Sequence, residues 1–303
     1  MIMKKGNYII FILIGLLLFS FLVSKVFTAK DKISQEQILI IPVYGIISTS
    51  SSGFPFEQTG SSVTSILNEL KKAKDDGKIK AVILDINSPG GTVVASKEIA
   101  DSVKNLNKPV IAVIREVGAS GAYWIASSAD LIIADELSIT GSIGVIGSYL
   151  QFSKLMQQYG VTYERLVGGE YKDLGTNFKE LEQNERNILQ NKIDIIHEFF
   201  INEVKENRRL NDTKKISTGE FFLGIEAKDL GLIDKFGNKD TAIEEAKKLA
   251  KLKSPSVVEF KERKTLFDLI QGISSQNFYY LGKGIGNEIY SKSQNPDLEI
   301  KAL

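Results

Sequence analysis

The chain contains no cysteine and a single histidine in 303 residues. Without cysteine there is no disulfide, no thiolate nucleophile and no Cys-ligated zinc. The absence leaves the redox compartment open, because a protein can occupy an oxidising space without using thiols. The lone imidazole, His197, rules out a multi-histidine metal site, and any Ser-His-Asp triad would have to be built on it. Charge of one sign is not in excess either. With 38 basic residues against 37 acidic ones, no overall field draws the chain to nucleic acid, and none is expected as a partner.

What is present points to a folded α/β chain. Hydrophobic residues make up 43%, enough for a sizeable core. Tyr8 to Ser24 is a run of 17 residues without a charge, at the short end of what spans a bilayer. Lys25 and Lys30 follow it, and Phe27-Thr28-Ala29 puts a bulky residue where a signal-peptide cleavage site wants a small one. The run therefore reads as an uncleaved anchor, although lysines on both sides leave its orientation undecided by charge.

From Gln37 onward, strands alternate with helices. Ile38–Val43, Ala81–Ile86, Pro109–Ile114 and Leu131–Ala134 are apolar runs of the kind buried in parallel sheets. Ser62–Lys74, Val93–Leu106, a helix beginning near Phe152, Leu181–Asn207 and a stretch within Gly224–Lys251 carry the helical period. This alternation predicts βαβ units and a largely parallel sheet. His197 lies four residues after Ile193 and three before Phe200, which places it at the edge of a helix's packed face. Beyond Lys261 the pattern weakens.

Two loops follow buried strands, where open α/β sheets place their sites. Asn87-Ser88-Pro89-Gly90-Gly91-Thr92 can turn sharply and aim N–H groups outward, toward an anion or the oxyanion of acyl transfer. An ordinary strand-to-helix turn would look the same. Glu116-Val117-Gly118-Ala119-Ser120-Gly121-Ala122 sets a serine among small residues that admit a substrate carbonyl. It resembles the G-x-S-x-G elbow with Ala122 in place of the last glycine, but a serine there could equally be a helix cap. A serine nucleophile needs a base. With His197 packed, an amine or a carboxylate remains, and composition does not identify which lysine could serve.

Four segments occur in a telling order: Asn87-Ser88-Pro89-Gly90-Gly91, Gly118–Trp124, Thr140-Gly141-Ser142-Ile143-Gly144-Val145 and Tyr171-Lys172-Asp173. Together they resemble the bacterial signal peptide peptidase A (SppA) family, single-unit form, in the ClpP/crotonase superfamily. Ala227–Asp234 is similar to the segment closing that domain, and the resemblance covers about Ile38 to Leu252. It implies a ClpP/crotonase-like βαβ superhelix with an N-terminal transmembrane helix. It also implies a cytoplasmic N-terminus and anchor over 1–30, a peptidase domain over 31–260 and a C-terminal tail over 261–303. Ser120 would be the nucleophile, Lys172 the general base, Gly91 and Gly121 the oxyanion-hole donors, and Ser142 the group orienting the lysine. No metal or cofactor is implied.

The implied activity is endoproteolysis of signal-peptide remnants and misfolded membrane-associated chains. The implied assembly is a homo-oligomeric ring, an octamer among its closed forms. The ring would sit at the bacterial cytoplasmic (inner) membrane on single-pass anchors, with its catalytic domains on the extracytoplasmic side. Ala122 replaces a commoner glycine, and Asn177-Phe178 stands where Pro-Phe is usual. A crotonase-like acyl-CoA hydratase or isomerase, or a non-catalytic membrane scaffold, are the alternatives.

Overall fold

The structure, a computed structural model, describes residues 14–20, 36–49, 61–260 and 282–283. Residues 36–49 and 61–260 fall within one compact unit. Of the apolar run at the N-terminus, residues 14–20 are helical; the rest of it lies outside the described residues, as does most of 261–303. No helix among the described residues is long and apolar enough to cross a membrane.

The chain runs β1 (Gln37–Ile47), α1 (Val63–Asp75), β2 (Ile79–Gly91), α2 (Val93–Lys104), β3 (Val110–Ala119), α3 (Gly121–Ser127), β4 (Leu131–Ala134) and β5 (Ile139–Gly141). Then come α4 (Ser153–Gln158), α5 (Gln183–Arg208), β6 (Phe221–Leu223), α6 (Gly224–Asp229), β7 (Lys235–Phe236), α7 (Lys239–Leu249) and β8 (Ser256–Glu259). All pairings are parallel except β5 with β6. β3 is shared: Ile111–Ile114 pairs with β4, whereas Val117–Ala119 pairs with β5. β4 and β5 thus lie along successive stretches of one strand, β4 leading to β7 and β5 to β6. The α/β expectation holds, and the strands read as continuous apolar runs because both faces are covered. Leu39, Ile41, Val82 and Leu84 enter the larger core. Ile38, Ile40, Ala81 and Ile83 pack on the other face, against Ala242 and Ala246 of α7.

The NSPGG loop is the clearest difference from the sequence reading. It is the end of β2 rather than a turn after it. Ile46 pairs with Gly90 and Ile47 with Gly91, so the ladder with β1 overrides the proline and glycine signals.

α5 is 26 residues long, about 39 Å. Phe200 on it stacks against Trp124 of α3, with ring centroids 4.4 Å apart at 10°. Both rings are buried. Phe200→Ala is expected to cost about 3–5 kcal/mol, the range for truncating a buried aromatic. Trp124 is the only tryptophan, so denaturant melts followed by its fluorescence measure the loss directly.

Candidate active site

Ser120 joins β3 to α3 with φ 53° and ψ −126°. A non-glycine residue at positive φ stores about 1–3 kcal/mol and persists only where the surroundings over-determine it. Here they do. Ser120 N donates to Gly141 O at 2.8 Å, and Ser120 O accepts the Trp124 N–H at 3.0 Å. The hydroxyl does not cap α3, which removes the plainest structural explanation for a serine at this point. Ser120 is half-buried, and its hydroxyl has no hydrogen-bond partner among the described residues.

The NSPGG strand end lies against this elbow. A methyl on Gly90 would stand 2.9 Å from Ser120 Cβ, Ala119 O and Gly121 N. A methyl on Gly121 would stand 2.2 Å from Ser96 Oγ and 3.3 Å from Gly91 N. The absence of side chains at Gly90 and Gly121 is therefore what lets the two loops touch. Thr92 N donates sideways to Ile47 O at 2.8 Å. Since successive N–H groups in a strand alternate in direction, the Gly91 N–H turns away from β1 toward α3. The Gly121 N–H opens α3, where first-turn donors have no partner inside the helix. Two backbone donors thus flank one partly exposed hydroxyl, an arrangement able to hold a tetrahedral oxyanion.

Lys172 lies elsewhere. After Ser142 the chain forms an arm that returns at Glu182, and this arm runs along α5 toward the helix's N-terminus. His197 Nε2 meets Ile143 O at 3.0 Å. A methyl on Gly147 would lie 3.2 Å from Ile193 Cδ1. One on Gly175 would lie 4.0 Å from Leu189 Cδ1 and Tyr149 Cε1. Lys179 Nζ reaches Glu185 at 2.5 Å. The contacts fall at 197, 193, 189 and 185, one helical turn apart. The twelve-position step from residue 185 to 197 corresponds to about 18 Å along the axis.

The Lys172 loop is pinned at the far end of this arm. Arg165 Nε donates to Asp173 Oδ2 at 2.7 Å, and Lys179 Nζ is 3.7 Å from Asp173 Oδ1. The Arg165 hydrogen bond is the main reason the Asp173 carboxyl titrates at about 2. Lys172 itself is exposed, and its amine has no hydrogen bond or ion pair among the described residues. Ser142 Oγ donates to Gly219 O at 3.3 Å. The single chain therefore brings Ser120, Gly91 and Gly121 together and places Ser142 close by through Gly141, while Lys172 lies on the exposed loop tied to the Glu185 end of α5 and makes no contact with Ser120.

His197 is half-buried, as its helical spacing predicts. A carbonyl only accepts, so Nε2 carries the hydrogen in its bond to Ile143 O and cannot act as a base from that side. Among the described residues no cluster could hold a metal ion. Sequence reading missed two neighbours of the site, Ser96 and Gly45. Neither stands in a recognisable motif, and only the packing reveals them.

A family profile described as peptidase family S49 matches residues 102–253, and one described as Clp protease matches residues 55–132. A putative protease of Methanocaldococcus jannaschii is 36% identical over 230 residues, covering 74% of this chain and 73% of that protein. A putative signal peptide peptidase SppA of Enterococcus faecium is 31% identical over 245 residues, covering 79% of this chain and 71% of that protein. Protease 4 of Haemophilus influenzae is 33% identical over 229 residues, 74% of this chain but 36% of its own length. A solved membrane-bound stomatin-specific protease superposes with a TM-score of 0.50 at 12% identity, over 76% of this chain and 99% of that one. Its likeness concerns the fold. On the relatives' identity and coverage together with the family profile, the chain belongs to peptidase family S49 and is a serine peptidase.

Proposed function

We propose that the chain is a membrane-anchored endopeptidase working through Ser120 and Lys172, with each site completed by a neighbouring subunit. The observation that carries this reading is the arm along α5. Its contacts run from His197 to Glu185, about 18 Å of helix, and Asp173, next to the exposed Lys172, is tied to the Glu185 end through Lys179. A neighbour's loop supplies the amine instead, in a ring of head-to-tail contacts that leaves no site without its lysine. The arm's apolar surface is consistent with such contacts. Ile146, Leu150, Tyr159 and Leu166 are 91%, 71%, 74% and 95% exposed, apolar side chains that a subunit contact would cover.

In the proposed reaction Ser120 Oγ gives its proton to the neutral Lys172 amine and attacks the scissile carbonyl. The carbonyl oxygen takes the negative charge and is held by the Gly91 and Gly121 N–H groups. The C–N bond breaks as the ammonium returns the proton to the leaving amine, and water then hydrolyses the Ser120 ester by the same route reversed. A lysine acts as base only as the free amine, a form that burial favours. Packing against a neighbour supplies that burial, and Ser142 orients the amine.

By resemblance, residues 1–30 form the anchor, 31–260 the peptidase domain and 261–303 a tail. The domain faces the extracytoplasmic side of a bacterial cytoplasmic membrane, and signal-peptide remnants are the substrates. The test is to mix inactive Ser120→Ala and Lys172→Ala chains. Random co-assembly recreates interfaces with one intact serine beside one intact lysine, so activity is expected to return in the mixture. Inactive mixed oligomers of verified composition would sink the shared-site reading, and so would an active monomer.

A further inference from the structure

Ser88 is fully buried at the end of β2, where the ladder with β3 slips register between Ile86 and Ser88. Its hydroxyl makes two short bonds inside the protein, with a longer 3.5 Å contact to Gly90 O that competes for the same hydrogen. Oγ donates to Gly45 O at 2.6 Å and accepts the Gly90 N–H at 3.1 Å. A hydroxyl has one hydrogen and two lone pairs, so it can do both at once. The bond to Gly45 ties the strand end to β1, and the bond from Gly90 ties down the residue that touches Ser120.

Gly90 is the pivot. It sits at φ 108° with no room for a side chain. The residue before it, Pro89, has no N–H to anchor the backbone. The residue after it, Gly91, has no side chain to fix its peptide and is held by its pairing with Ile47 of β1. Besides the β1 ladder, in which Ile46 pairs with Gly90 and Ile47 with Gly91, two bonds bracket the Gly91 peptide: Gly90 N on Ser88 Oγ, and Thr92 N on Ile47 O. Remove the first, and the Gly91 peptide keeps the β1 ladder and the Thr92 bond but loses the side-chain hold on its Gly90 side. The Gly90 N–H and Gly45 O then also lose a partner in a buried place.

We propose that Ser88 is a positioning residue that aims the Gly91 N–H at the developing oxyanion and holds Gly90 against the Ser120 elbow. It touches neither substrate nor the reacting atoms. The inference rests on Ser120 as nucleophile and Gly91 as oxyanion donor. It predicts that Ser88 matters more when the substrate carbonyl is tetrahedral than when it is flat.

The experiment compares wild-type and Ser88→Ala full-length oligomers with one peptide in three forms. These are the cleavable substrate, a peptidyl boronic acid that becomes tetrahedral on the nucleophile, and the free carboxylate product. In Ser88→Ala, kcat is expected to fall about 10- to 100-fold, less than on deleting a donor outright, with KM within about threefold. Boronate affinity should fall by a factor similar to kcat, and product affinity should hold. If Ser88→Ala does not fold, Ser88→Cys keeps the volume with a weaker hydrogen-bonding group and should show the same split to a smaller degree. Equal weakening of boronate and product, or an unchanged kcat, overturns the role of Ser88. The underlying reading fails separately, and visibly in the wild type, if Ser120→Ala remains active or the boronate does not bind.

Discussion

Ser120→Ala and Lys172→Ala are each expected to reduce peptide hydrolysis by at least about 10³-fold, and the double variant should be no worse than either alone. Groups that act as one unit lose their contribution at the first deletion. The two variants should differ from each other in stability. Lys172 is exposed and its amine is unpartnered among the described residues, so its loss should leave the melting temperature of the isolated chain unchanged. Ser120 holds φ 53°, a strain alanine shares but glycine does not. Ser120→Gly should therefore be equally inactive yet more stable, by about 1 kcal/mol. Peptide cleavage and thermal melts on the same preparations check both halves. An active Lys172→Ala combined with an inactive His197→Ala would move the base to the imidazole.

Gly91→Ala is expected to remove activity by more than about 100-fold and to lower stability by about 2–3 kcal/mol through overpacking. The added methyl would stand 1.8 Å from Ile47 O and 2.7 Å from Ile47 Cα. Those are backbone atoms of β1, with no rotamer that could give way. The end of β1 must separate from β2, breaking the Thr92–Ile47 bond and swinging the Gly91 N–H off its line. Gly77→Ala is the control, because no atom lies within 4 Å of its methyl. It should be neutral or slightly stabilising, as glycine-to-alanine changes are where the backbone permits. Denaturant midpoints together with kcat/KM separate the two positions.

The long elements were legible because their periods are strong. Residues 81–86 are apolar at every position but Asp85, residues 110–114 at every position, and α5 repeats its apolar residues from Ile188 to Val204. β5, β6 and β7 were not legible. They are 3, 3 and 2 residues long, too short for any period to show. The end of β2 misled for a different reason. Ser88, Pro89 and the two glycines carry turn propensities, and only the partner strand, distant in sequence, shows that the ladder continues through them. The peptidase architecture followed from the ordered motifs. The Ser120 elbow was half visible: small neighbours marked the loop, but positive φ on a serine is a tertiary outcome. Lys172 carries no local signal at all. Alone it reads as a solvated lysine, and in the single chain it is one.

The arm along α5 also limits how the chain can vary. Its contacts step from residue 197 to 185 one turn at a time, so the helix acts as a ruler graduated in turns. Inserting a single residue between Glu185 and His197 would rotate the outer contacts by about 100° and move them about 1.5 Å, putting Leu189 and Glu185 on the wrong face. Inserting seven would return the face almost to phase and lengthen the reach by about 10.5 Å. Length changes in this helix should thus be tolerated where they add close to a whole number of turns, about 7, 11 or 18 residues, and rejected between them. Each tolerated step would lengthen the helix between its Ile143 and Glu185 contacts and, on the proposed shared-site reading, reset the spacing between neighbouring subunits.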